Sequence, residues 1–99
     1  MKKIFTLLAL ITSFNVNAQV SENSTSPTGT YASAMGNGTT ASGNESTAMG
    51  YDTTASGEAS TAMGYSTTAT AQSSTAMGRS TTASGTNSTA MGNGSTASG

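Results

Sequence analysis

A single tripeptide recurs at a fixed interval through most of the chain. Ala-Met-Gly occupies residues 34–36, 48–50, 62–64, 76–78 and 90–92, which defines a constant 14-residue period. A short, constant period is typical of a solenoid, in which each unit stacks on the next and cannot bury its apolar face alone. The period therefore restricts the chain to a stacked array.

Large apolar side chains are scarce beyond the N-terminal segment 1–14, which holds every Leu, Ile and Phe of the chain. Beyond residue 18 the sizeable apolar side chains are Val20, five methionines and three tyrosines. That set is too small for a globular core. Cysteine is absent, so no disulfide compensates for the weak core, and self-association is the obvious substitute.

The N-terminal segment 1–18 has the pattern of a secretory signal peptide. Lys2 and Lys3 precede an apolar run over 4–14, and a small-residue cleavage site follows at 16–18. The run is shorter than the roughly 20 residues of a spanning helix. We therefore predict that residues 1–18 are a signal peptide, that cleavage falls between Ala18 and Gln19, and that the chain is secreted across the inner membrane.

The charge of the exported chain excludes one class of partner. Arg79 is its only basic residue, against four carboxylates, which gives a net charge of −3 from Gln19 onward. Nucleic-acid binding depends on clustered Lys and Arg. Nucleic acid is therefore not an expected partner.

Each 14-residue repeat consists of two similar seven-residue halves, as residues 46–52 and 53–59 show. Each half has the pattern Ser/Thr, Thr, Ala, Met or Ser, Gly and two variable positions. We interpret 19–30 as a linker or irregular N-terminal segment and 31–99 as five units. Heptads suggest a coiled coil, but Gly, Ser and Thr are poor in helix interiors. Two short strands and two Gly-initiated turns per unit fit better. The predicted turn glycines are Gly36, Gly43, Gly50, Gly57, Gly64, Gly78, Gly85 and Gly92.

Strand alternation places Thr47 and Met49 on one face and Ala48 on the other. In the companion half, Thr54 and Ser56 share a face opposite Ala55. We expect the methionines to fill the core, since Met at a regular position is commonly a filler. A soft-copper site on a methionine ladder is the alternative, but no His or Cys accompanies it, and no metal or cofactor is expected. The predicted core residues are Met35, Met49, Met63, Met77 and Met91.

The unit Ser-Thr-Ala-Met-Gly-x-x-Thr-Thr-Ala-Ser-Gly-x-x resembles the head repeat of trimeric autotransporter adhesins of the YadA-like type. The resemblance covers 31–99. It implies an all-β, left-handed parallel β-roll of five 14-residue coils. It also implies a homotrimer at the outer-membrane surface of a Gram-negative bacterium, with an extracellular protein, a cell or an abiotic surface as its target.

The sequence departs from that family in three respects. Met stands where the family usually has Ile, Thr stands where Val is common, and Ala71 replaces a repeat glycine. If that turn required a positive φ, Ala71 would cost about 1 kcal/mol. The neck, stalk and membrane anchor of such adhesins are not in this sequence. We therefore expect a partial or truncated product that contacts the membrane only through an anchor outside this chain.

Two surfaces are candidates for recognition. The variable turn positions carry Tyr51, Tyr65 and Arg79, which are either tolerated variation on a solvated rim or a binding surface. The Thr pairs, such as Thr53 and Thr54, predict a flat hydroxyl stripe that is adhesive, ice-binding or simply strand-forming.

An enzyme is not expected, because Ser and Thr have no His or Cys beside them and the carboxylates are scattered. The leading hypothesis is an exported adhesin head that attaches to host matrix, cells or other surfaces. The alternative is a passive structural spacer of the tail-fibre kind. Ice binding by the Thr stripe is the third hypothesis.

Overall fold

The computed structural model describes residues 24–99. The predicted signal peptide at 1–18, its cleavage site at Ala18 and Gln19, and residues 19–23 lie outside the described residues. From residue 24 onward the chain consists of strands and turns, and this part contains no helix.

Two kinds of strand alternate along the chain. The two-residue strands are β1 (Ser26–Pro27), β3 (Thr40–Ala41), β5 (Thr54–Ala55), β7 (Thr68–Ala69), β9 (Thr82–Ala83) and β11 (Thr96–Ala97). The five-residue strands are β2 (Ser33–Asn37), β4 (Thr47–Tyr51), β6 (Thr61–Tyr65), β8 (Thr75–Arg79) and β10 (Thr89–Asn93).

The two kinds of strand form two separate parallel sheets. The six short strands pair in the order β1-β3-β5-β7-β9-β11, and the five long strands in the order β2-β4-β6-β8-β10. Each strand pairs with the equivalent strand one repeat later, so that Ala48 lies opposite Ala62 and Met49 opposite Met63. The predicted parallel β-solenoid of about five 14-residue coils is therefore confirmed.

Backbone hydrogen bonds join the coils between the strands as well as within them. The Thr47 amide donates to the Ser60 carbonyl at 2.9 Å, and the Thr61 amide donates to the Ser74 carbonyl at the same distance. Because every coil repeats this pattern, one coil's backbone groups are satisfied largely by its two neighbours.

The segment before Tyr31 takes part in the stack. Ser26 of β1 pairs with Thr40, and its amide donates to the Thr39 carbonyl at 2.8 Å. Residues 24–30 therefore follow the path of a coil, and the array begins before Tyr31, where the sequence pattern suggested its start.

Small side chains line the interior of the coils. Each coil contributes one alanine from its long strand and one from its short strand, and both columns are buried. The largest fully buried side chains are threonines and serines. The interior therefore holds no side chain larger than that of threonine. The alanines of the two columns are Ala34, Ala48, Ala62, Ala76 and Ala90, and Ala41, Ala55, Ala69 and Ala83.

The methionines do not fill this interior, so the prediction that they form the core of the chain is wrong. Alternation along β4 was assigned correctly, but the face that points inward is that of Ala48. The interior excludes a side chain as long as Met, and the thioethers lie on the outer face. Met35 and Met91 are exposed, whereas the other three are half-buried: Met49, Met63 and Met77.

Hydroxyl groups share the interior with the alanines, and only some of them are hydrogen-bonded. The Ser46 hydroxyl donates to the Gly43 carbonyl at 2.6 Å. The Ser74 hydroxyl donates to the Ala71 carbonyl at 2.7 Å. In contrast, five buried hydroxyls within the described coils have no partner: those of Thr39, Thr53, Ser60, Thr67 and Thr81. An unpaired buried hydroxyl costs about 1–3 kcal/mol.

Five of the eight predicted turn glycines lie inside strands instead. Gly50 belongs to β4, has a φ of +122°, and a Cβ there would lie 2.1 Å from the Gly64 carbonyl oxygen. Backbone cannot yield as a side chain does, so this position accepts only Gly. The same setting recurs one coil apart at Gly36, Gly64 and Gly78, and Gly92 shares the positive φ.

The remaining glycines lie in turns, where close approach and not a positive φ selects them. A Cβ on Gly57 would lie 2.0 Å from the Ala71 carbonyl oxygen. Ala71 itself has no positive φ, so the conformational penalty considered for it does not arise. Ala71 instead lacks a hydrogen bond that the equivalent glycines make. The amides of Gly57 and Gly85 donate to the alanine carbonyl of the next coil at 3.2–3.3 Å. In the coil of Ala71, only the preceding Thr70 amide donates to that carbonyl.

Residues with positive φ occur at two other places in each coil, and most are not glycine. Asp52, Ser66 and Ser80 have φ of 53–55° at one place, and Glu45 and Ala59 have φ of 60° and 55° at the other. Their amides donate to the preceding coil; the Asp52 amide, for example, reaches the Asn37 carbonyl at 2.8 Å. These left-handed residues turn the chain between sheets.

Replacement of Gly50 by Ala should cost more than about 2 kcal/mol of unfolding free energy or prevent folding, because φ and the Gly64 carbonyl both oppose a Cβ. Gly38→Ser is the matched control: Ser66 and Ser80 occupy the equivalent place with a similar φ. It should change stability by less than about 1 kcal/mol. Denaturant unfolding measures both, and equal effects would contradict the close-approach argument.

Thr67→Val should leave stability unchanged or raise it by about 1 kcal/mol, since it removes a buried hydroxyl without a partner at nearly constant volume. Ser46→Ala should lower stability by about 0.5–1.5 kcal/mol, because that hydroxyl is hydrogen-bonded. Thermal unfolding of the two variants distinguishes them. A larger loss in Thr67→Val than in Ser46→Ala would show that the threonine hydroxyl has a partner after all.

Candidate functional site

The outer face of the five-stranded sheet carries three parallel columns of side chains, one residue per strand in each. The first column is Ser or Thr, the second is Met, and the third, at the strand ends, is variable. The columns are Ser33, Thr47, Thr61, Thr75 and Thr89; Met35, Met49, Met63, Met77 and Met91; and Asn37, Tyr51, Tyr65, Arg79 and Asn93.

The methionine column is the principal apolar feature of the described surface. Its members lie directly opposite one another in successive strands, for example Met49 beside Met63 and Met63 beside Met77. The end members are the most exposed, at 38% for Met35 and 61% for Met91. Together with the Ser/Thr column beside it, this column forms a continuous stripe along the sheet, which we call the Thr–Met face. Contiguous apolar surface of this kind typically marks an interaction site.

The third column contains a stack of two rings and a guanidinium. The Tyr51 and Tyr65 rings are 5.1 Å apart between centroids and 8° from parallel. The Arg79 guanidinium lies 5.5 Å from the centroid of the Tyr65 ring. Tyr51 and Tyr65 are 51% and 49% exposed. The three predicted recognition residues are therefore brought together in one row, which we call the Tyr–Arg ladder.

Tyr31 is not part of this ladder. It lies in the turn before β2 with a φ of 59°, at the place that Glu45 and Ala59 occupy in the next two coils. Its side chain is 84% exposed. Tyr51 and Tyr65, at the ends of strands, thus stack on each other, whereas Tyr31 lies in a turn.

The outer face of the six-stranded sheet carries hydroxyl groups, but not the predicted stripe of Thr pairs. In each pair the first residue, such as Thr53, is buried inside the coil, while the second, such as Thr54, is half-buried on the outer face. Ser56, two residues later, is exposed. The hydroxyl surface is therefore one column of Thr beside one column that is mostly Ser. Half of the hydroxyls assigned to it lie in the interior.

The carboxylates are spread along the rims of the coils, and two of them accept a hydrogen bond from the adjacent coil. The Gln72 side-chain amide donates to Glu58 at 3.2 Å, and the Ser66 hydroxyl donates to Asp52 at 3.5 Å. Within residues 24–99, no group of three or more acidic, His or Cys side chains is placed to hold a metal ion. The same part of the chain contains no helix of the length and apolarity that crossing a membrane requires.

The repeat sequence matches the model of a known protein family. The model of the YadA head domain repeat, which comprises 2 copies of the repeat, matches residues 28–53, 55–81 and 83–99.

The chain belongs to the YadA head repeat family.

This membership confirms the resemblance drawn from the Ala-Met-Gly repeat. Head repeats of the YadA family are structural adhesin domains of surface-exposed autotransporters. No curated protein and no solved structure matches the chain significantly.

Sequence reasoning missed the residues that do fill the coil. The interior alanines, such as Ala48 and Ala55, are invariant among the complete repeats, as is the first Thr of each pair until Ser95 replaces it. Invariance combined with small size was the available signal. The size of an apolar side chain, which favoured Met, was the wrong criterion for a coil with so narrow an interior.

Proposed function

We propose that this YadA head array is an exported adhesin head that attaches to host matrix, cells or other surfaces. The observation that carries the proposal is the family match over residues 28–99 on a regular β-solenoid. Uniform coils make a stiff rod, and a stiff rod presents recognition side chains at fixed spacings. The signal-like residues 1–18 supply the route of export, toward the cell surface of a Gram-negative bacterium.

The Tyr–Arg ladder is the candidate contact surface within this array. Interfaces are enriched in Tyr and Arg, and rigid side chains lose little conformational entropy on binding. Here the stack already fixes Tyr65 between Tyr51 and Arg79.

The working form of the head is a homotrimer in which the Thr–Met face of each chain packs against the other chains. The interior of a coil buries only alanines and small hydroxyl residues. The methionines are therefore the main apolar side chains of the described chain that association could bury. Identical stripes in identical chains bring Met against Met about a symmetry axis, as closed cyclic oligomers require. The half-exposed thioethers of Met49, Met63 and Met77 would then become buried.

Met63→Lys should disrupt the assembly, because it places a charge in the middle of the stripe that the other chains cover. Ser56→Lys is the matched control, since it adds the same charge to an exposed position on the opposite sheet. Sedimentation should give a trimer for the control and a smaller species for Met63→Lys. Equal masses for the two variants would show that the Thr–Met face is not the interface.

Adhesion itself is tested with the full chain, expressed with residues 1–18 and collected from the exported fraction. It should bind saturably to at least one of three surfaces: immobilised matrix protein, cultured cells or bare polystyrene. The Met63→Lys variant should bind at least tenfold more weakly, since linked copies gain avidity of about 10²–10⁴. Binding no greater than that of albumin on all three surfaces would contradict the adhesin proposal and favour a passive spacer.

A further inference from the structure

The two stacked tyrosines have a geometry that bears on their chemistry as well as on recognition. Tyr51 and Tyr65 are the last residues of adjacent, in-register parallel strands. Their side chains leave the backbone at equivalent positions, about 4.8 Å apart along the stack. The rings are nearly parallel, with centroids 5.1 Å apart. The two phenol rings are therefore held side by side.

Arg79 makes this pairing exclusive. Tyr65 is paired with Tyr51 on one side and with Arg79 on the other, and the guanidinium lies over its ring. Among the described residues, the only aromatic neighbour of Tyr65 is thus Tyr51. Tyr31, in a turn column of its own, has Glu45 as its equivalent in the next coil.

The rings are also accessible to a small oxidant. Each is about half exposed, so a ring can tilt toward its neighbour without displacing buried groups. Both conditions for coupling two phenols, proximity and access, are met at this one pair.

We propose that Tyr51 and Tyr65 are a site of oxidative cross-linking, at which a one-electron oxidant such as a haem peroxidase with hydrogen peroxide joins them as dityrosine. Each phenol gives one electron and its hydroxyl proton to the oxidant. The two phenoxyl radicals form a carbon–carbon bond between their ortho carbons. Each of those carbons then loses its hydrogen as a proton while the phenolic oxygen regains one. The pair loses two hydrogen atoms in all, and one peroxide becomes two waters.

The product is a covalent staple between two consecutive coils. It closes a loop of one repeat and restricts the unfolded chain in the way that a disulfide does, in a protein without cysteine. The cross-link lies within one chain, so it depends neither on trimer formation nor on adhesion. A negative result for the cross-link therefore leaves the adhesin proposal unaffected, and a negative result for adhesion leaves the cross-link unaffected.

The test treats the folded protein with peroxidase and limiting hydrogen peroxide, and maps the product by mass spectrometry. A cross-linked peptide lighter by two hydrogen atoms should join residues 51 and 65 of the same chain. Methionine sulfoxide adds an oxygen and is thereby distinguished. The stapled fraction should unfold at a higher temperature than the untreated protein.

Two variants and one condition control the assignment. Tyr65→Phe keeps a ring in the stack and should lose the product completely, while Tyr31→Phe should retain the full yield. Unfolding in urea before treatment should reduce the yield at least several-fold. A product that involves Tyr31, one that doubles the chain mass on a denaturing gel, or no product under conditions that couple free tyrosine would overturn the proposal. Circular dichroism verifies that the variants are folded.

Discussion

The close approach of successive coils is the constraint on which the rest of this structure depends. Backbone meets backbone at Gly50 and Gly64, and again at Gly57 and Ala71, with no room for an additional carbon atom. In-register parallel pairing then places each residue beside its equivalent in the next coil. A position that tolerates only a small side chain in one coil tolerates only a small one in all of them. The constant 14-residue period is the consequence.

The narrow interior of each coil decides where the apolar side chains lie. It buries alanines with small hydroxyl residues, and each buried methyl contributes about 0.8 kcal/mol. Fixing one residue's backbone costs about 1–2 kcal/mol. Such an interior stabilises a chain weakly, and the inter-coil hydrogen bonds and the stacked Tyr51 and Tyr65 rings supplement it. The methionines, excluded from the interior, remain on the outer face, where other chains can bury them.

The sequence was sufficient to predict the period, the parallel pairing and the alternation of faces. Each of these follows from a repeat whose invariant residues must coincide in space, as Met49 and Met63 do. Which face of each strand points into the coil was not predictable from hydrophobicity. Met is the more apolar residue, so it was assigned to the interior, and only the width of the coil shows that Ala48 belongs there. The narrow width is seen only in the folded coil, whose buried positions hold Ala, Ser and Thr.

The candidate site was predictable in composition but not in arrangement. Tyr51, Tyr65 and Arg79 were recognisable as variable positions, each one repeat after the last. Their stacking requires that the strand continue through Gly50 to Tyr51, whereas the sequence pattern suggested that a turn begins at the glycine. The left-handed turn residues, Asp52 and Ala59 among them, were missed because most are not glycine.

The methionines lie on the outer face of each coil, and in the proposed trimer other chains cover them. The most direct test is the rate of peroxide oxidation of each methionine, measured by mass spectrometry above and below the protein concentration at which the assembly dissociates. We predict that Met49, Met63 and Met77 are protected in the assembly and oxidise much faster in the dissociated, still folded chain. Protection that persists in a folded monomer would instead place the methionines inside the coil. If the methionines of the concentrated protein oxidise as fast as those of the unfolded chain, other chains do not cover them.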